Sequence, residues 1–129
     1  MELDVRNVII IKMPIILISV DSENKNLVEF DKMGDVVVDV MMESTDPRSK
    51  KIGDFLSTKM CIVNRLAIDR LNEREENESE ADAGIRIQAA VNVIREMKVL
   101  NAIIISHKST FHSWNREVIK DEWDIIGMN

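Results

Sequence analysis

Asn101-Ala-Ile-Ile-Ile-Ser106 is a short, unbroken apolar run rich in β-branched residues and closed at each end by a polar one. Such a run suits a strand buried on both faces, as in a sheet covered by helices. Upstream, Ile87, Val91, Ile94 and Met97 recur on one face of a helix expected over residues 80–98, with Ser79 and Asp82 as a capping box and Gly84 in the first turn. Downstream, residues 106–110 read as a loop and 113–120 as a short helix before Trp123-Asp-Ile-Ile126.

Further towards the N-terminus, Val8-Ile-Ile-Ile11 and Ile15-Ile-Leu-Ile-Ser-Val20 are strand-like and separated by Pro14. Proline cannot donate to a sheet ladder, so Pro14 marks a strand start or a break. Asp21 opens a turn, Leu27 to Met33 allows one helical turn before Gly34, and Asp35-Val-Val-Val-Asp-Val-Met-Met42 is the next strand. Asp46 before Pro47 is an N-cap followed by a first-turn proline. Ile52, Phe55, Leu56, Met60, Val63, Leu66, Ala67 and Leu71 then predict one long amphipathic helix over 50–75. Strands separated by helices predict an α/β fold: a small, mainly parallel sheet of about four strands with helices packed on it and right-handed crossovers.

At 129 residues the chain is expected to be a single α/β domain, 1–129, the ordered core of a slightly longer protein. Its net charge of -6 argues against bulk nucleic-acid binding, which needs clustered cations. The single cysteine, Cys61, reads as a buried small hydrophobe in a reducing setting. Lys12 and Pro14 interrupt the N-terminal apolar run, and no signal peptide is recognisable, so no membrane association is expected and the chain reads as cytoplasmic.

No catalytic or cofactor motif stands out. Asp21 follows an apolar strand, and Asp35 and Asp39 share a strand face, but four residues at ~3.3 Å each hold those two too far apart for one ion. His107, at the end of a strand, is placed where a general base of an α/β enzyme would sit, without an identifiable nucleophile or paired acid. A small hydrolase or metal-dependent nuclease using Asp21, Asp39 or His107 is therefore the competing class to a binding module. Arg48, Lys50, Lys51 and Lys59 form the most basic stretch, a solvated helix face with weak single-stranded RNA contact as its functional reading. The acidic block from Glu73 to Asp82 reads as a solvated connection or a docking surface for a basic partner.

Three of the five aromatic residues, Phe111, Trp114 and Trp123, fall within thirteen positions. They are the expected anchors, with Met60 and Met97, of packing or of an interface. Self-association as a homodimer is expected, through the strand at 102–106 or a helix face carrying Met60 and Met97.

Asn92-Val-Ile-Arg95, Ala102-Ile-Ile-Ile105 and the closing pattern Phe111, Ser113, Trp114, Asn115, Val118, Glu122 and Trp123 resemble the small assembly and RNA-packaging cofactor proteins of the cystoviruses, enveloped phages with segmented double-stranded RNA. The resemblance covers roughly residues 90–126, with Ser113 and Trp114 one residue closer than in that pattern. It implies a non-enzymatic component of a viral polymerase complex, without cofactor. That component assists procapsid assembly and single-stranded RNA packaging, binds the capsid shell protein and RNA polymerase, and resides in the virion interior and host cytoplasm. The family has no catalytic residues to carry over, and its members have a longer polar tail.

Overall fold

A computed structural model describes residues 14–21, 36–120 and 123–127. The strand expected at Val8–Ile11 and the helical turn at Leu27–Met33 lie outside these. The described elements are β1 (Pro14–Ser19), β2 (Val37–Glu43), α1 (Pro47–Lys59), β3 (Cys61–Ala67), a 3-10 turn (Asp69–Leu71), α2 (Glu80–Glu96), β4 (Ala102–Ser106), α3 (Lys108–Trp114) and β5 (Trp123–Gly127). They form one sheet of five strands in the order β3-β2-β4-β1-β5. β3, β2, β4 and β1 run parallel, and β5 closes the other side antiparallel to β1. The sheet is thus α/β and mostly parallel, with one antiparallel pair and one strand more than the sequence suggests.

Alternating side chains of β4 divide the core in two. Ala102 and Ile104 join Ile15, Leu17, Val40 and Met42 beneath α2 and α3, where Ile87, Val91, Ile94 and Phe111 are buried. Ile103 and Ile105 join Ile16, Ile18, Val38 and Met41 beneath α1, where Ile52, Leu56 and Met60 are buried. The chain steps outward from β2 to β3 through α1 and back from β3 to β4 through α2. Crossovers of one hand require those helices on opposite faces, as found.

Alternation breaks at Asp39, since Val38 and Val40 face opposite sides of the sheet. The Asp39 carboxylate accepts hydrogen bonds from the amides of Leu100 (2.8 Å) and Asn101 (3.0 Å), fixing the start of β4. Both helix N-caps follow the sequence: Asp46 accepts from the Arg48 amide and Ser79 from the Asp82 amide. Gly84 does more than avoid a helix penalty. A Cβ there would lie 2.6 Å from the Ser113 carbonyl oxygen, so glycine lets α2 and α3 touch. Ile119 is held at φ 54°, a left-handed conformation costly for a β-branched residue. Its amide is satisfied by Asp124 at 3.2 Å.

Two expectations are corrected, and one unassigned stretch is placed. The long helix over 50–75 is α1 followed by β3, because the apolar spacing continues while the chain extends at Met60 to pair with β2. The last helix starts at Lys108, in the expected loop, and Phe111 fixes it by full burial. Trp123 opens a strand, β5, held to β1 from Pro14↔Gly127 to Ile18↔Trp123.

Candidate functional site

In an open parallel sheet the loops beyond the carboxyl ends of the strands are the usual place for function. Here β1, β2 and β4 deliver Asp21, Ser44 and His107 to that edge. His107 is only 1% exposed, and its Nε2 lies 3.2 Å from the Ser44 hydroxyl. Ser44 in turn shares a hydrogen bond with Ser49 in the first turn of α1. The other ring nitrogen, Nδ1, is buried and has no protein partner among the described residues. Burial pushes the imidazole below its ordinary value, while Glu73, Asp46 and Asp21 pull it up and Arg48 pushes it down. On balance the surroundings favour the neutral ring.

Arg48 organises the outside of this cluster. Its guanidinium lies 3.1 Å from Asp46, 3.7 Å from Asp21 and 3.7 Å from Glu73. Hydrogen bonding to Arg48 holds the Asp46 carboxyl below the usual carboxylate range.

Acyl transfer would require, besides a hydroxyl and a base, an orienting group on the far ring nitrogen and amides aimed at a developing oxyanion. The nearby amides are engaged otherwise. Ser44 donates to the Ile105 carbonyl, Thr45 to Asn72 Oδ1, Arg48 to Asp46 and Lys108 to Asp21. These contacts fasten the turns after β1, β2 and β4 to one another.

A second polar cluster joins β2, β3 and α1. Glu43 is 3% exposed, and Arg65 donates to its carboxylate and, at 2.8 Å, to Asp54. The hydrogen bond to Glu43 raises the guanidinium further above its ordinary value. Gly53 makes room, since a Cβ there would meet Arg65 Nη2 at 2.6 Å.

Of the carboxylates named from the sequence, Asp21 converges with His107 but Asp39 does not. Asp39 sits at the amino edge of the sheet beside Asn101, seven residues below the level of Lys108, or ~20 Å away. Among the described residues no group of three His, Cys, Asp or Glu side chains could hold a metal ion. The aromatic anchors pack inward: Phe111 is fully buried, Trp114 donates to Gln88 at 2.8 Å against the core, and Trp123 packs beneath the α1 side. Met60 is buried on the α1 side and Met97 exposed near the end of α2, so they share no helix face. The strand at 102–106 lies at the centre of the sheet and offers no edge for dimerisation. Arg48, Lys50, Lys51 and Lys59 are all exposed on α1, with Lys50 paired to Asp54 at 3.2 Å and Lys59 5.7 Å above the Phe55 ring. Within the acidic block Arg86 binds both Glu78 carboxylate oxygens, beside a cleft of about 460 Å³.

The feature that the sequence did not reveal is the outer edge of β3. Cys61 is exposed there rather than buried. Val63 and Leu66 are 58% and 44% exposed. A neighbouring groove of about 530 Å³ is lined by Met42, Ala67, Ile68, Ala90 and Val93, with Asp69 and Arg70. The extended pairing of Cys61–Ala67 with β2 is long-range information that local apolar spacing does not carry.

The arrangement defines a three-layer α/β protein of the doubly wound class, with α1 on one face and α2 and α3 on the other. No protein-family model matches the chain, and a search of curated proteins finds no significant match.

Proposed function

We propose that this protein is a non-enzymatic association module that joins its partners along the outer edge of β3. The observation that carries this reading is a strand that is outermost among the described residues, bordered by exposed apolar side chains and a largely apolar groove. Ile68 directs its amide inward to the Glu43 carbonyl at 2.8 Å, so by strand alternation Arg65 and Ala67 direct theirs outward. Such a row of backbone groups is a template for another strand. Strand addition supplies affinity through main-chain hydrogen bonds and specificity through side-chain pockets. Leu66 and the adjoining groove furnish the pocket.

The partners follow from the assembly role implied by the cystovirus resemblance. They are a second copy of this chain in a homodimer, and the capsid shell protein and polymerase of a procapsid. The edge reading does not depend on that setting. A labelled peptide carrying residues 60–68 tests it against the full chain. Saturable binding should slow hydrogen exchange at Arg65 and Ala67, and Leu66→Lys should weaken it at least tenfold. Unchanged exchange at both amides under saturating peptide overturns the reading.

A further inference from the structure

The least explained group in the molecule is the His107 ring. It is the residue before α3, yet it gives that helix no side-chain cap. Instead it turns inside and reaches Ser44, 63 residues away at the end of β2. Through Ser49 the same chain of contacts reaches α1. One imidazole thus connects the β4–α3 turn to the β2–α1 turn.

We infer that His107 is a proton-operated latch: neutral, its ring lies inside and ties the β4–α3 turn to the end of β2; protonated, it swings out to the carboxylates beyond. The chemistry of the two nitrogens supports this. In the neutral ring Nε2 shares one proton with the Ser44 hydroxyl, in either direction. Once charged, both nitrogens are donors, and Nδ1–H then has no acceptor in its buried position. An uncompensated buried cation is unfavourable, whereas an exit position near carboxylates is favourable. The charged groups facing the ring are Asp21 after β1, Asp46 and Arg48 at the start of α1, and Glu73 after the 3-10 turn. Three carboxylates against one guanidinium make the outside attractive to an imidazolium. Lys108, next in the chain, is exposed, and its amide is held by Asp21 at 2.9 Å.

The sign follows from the direction of the shift. Burial places the folded ring below its ordinary value of 6.5. The inside position is therefore fully stabilising above 6.5, weakens as pH falls from there to the folded value, and loses nothing more below it.

Hydrogen exchange of Lys108–Trp114, referenced to Ile103–Ile105 and corrected for intrinsic rates, tests the latch between pH 7.5 and 5. His112, whose Nε2 lies 3.4 Å from the Ile119 carbonyl, is replaced in every sample by His112→Gln, leaving His107 as the one imidazole. Protection of α3 should hold from pH 7.5 to about 6.5 and then fall by up to about tenfold per pH unit below that, while β4 holds. His107→Asn, neutral at every pH, should remove that dependence. Ser44→Ala should loosen α3 already at pH 7.5, which keeps the test decisive if His107→Asn does not fold. A pH-independent α3 in the His107 protein, or an equal loss in β4, overturns the latch.

Discussion

β4 and β3 are built from similar aliphatic residues, yet they occupy opposite situations. All five residues of β4 are buried between β2 and β1, with a helical layer on each face. None of the seven residues of β3 is fully buried, and β3 is the outermost strand among the described residues. Burial on two faces demands an unbroken apolar run, so β4 announces itself. A strand at the rim tolerates Asn64 and Arg65, and what remains apolar around it, at 60, 63, 66 and 67, fits helical spacing equally well. The central strand holds the fold together, and the outer strand is the one that the proposed association uses.

The sharpest way to break this comparison is paired truncation. Ile104→Ala should cost about 3–4 kcal/mol, the loss of transfer energy plus an unfilled cavity in a packed core. Leu66→Ala should cost under ~1 kcal/mol in the unassociated chain, because nearly half of that side chain already meets solvent. Denaturant midpoints at low protein concentration measure both. Equal losses would mean that β3 is as much a part of the core as β4.

The same contrast explains what could be read in advance. β4, the start of β1 at Pro14, and the caps at Asp46 and Ser79 were legible because each is a local pattern. The first turn of α3 was not, since Ser109 and Thr110 look like loop residues until Phe111 is seen to be buried. β5 depends on its ladder with β1, more than a hundred residues earlier. His107 and Asp21 were identifiable as residues at strand ends, but Ser44 becomes relevant through a contact 63 positions away. Glu43 gave no signal, because its burial depends on Arg65 coming from the neighbouring strand.

Arg65 sharpens the comparison by showing what β3 contributes inward. Arg65→Met keeps the aliphatic stem and removes the charge that pairs with buried Glu43. Leaving one partner of a buried pair uncompensated should cost about 3 kcal/mol. Adding Glu43→Gln should recover more than half of that, since the stranded charge is then gone. If the double variant is no more stable than Arg65→Met, packing rather than charge joins β3 to β2.

The smallest effect concerns the exposed face of α1, which carries Arg48, Lys50, Lys51 and Lys59. Of the cations expected to touch RNA, Arg48 is drawn into ion pairs with Asp46, Asp21 and Glu73, and Lys50 into one with Asp54. Single-stranded RNA must compete with those carboxylates and with a net charge of -6. Lys51 is therefore the stronger contributor, and one contact, or two with Lys59, at roughly -0.7 each gives a salt slope of about -0.7 to -1.4. Binding should be detectable at low salt and nearly absent at physiological salt. Lys51→Glu with Lys59→Glu should abolish it and leave β3-mediated association within twofold, because neither residue lies on that strand. A salt slope approaching -2.8, four contacts at roughly -0.7 each, would show that RNA displaces the carboxylates from Arg48 and Lys50. Loss of both activities in the double variant would show that α1 and the β3 edge form one continuous binding surface.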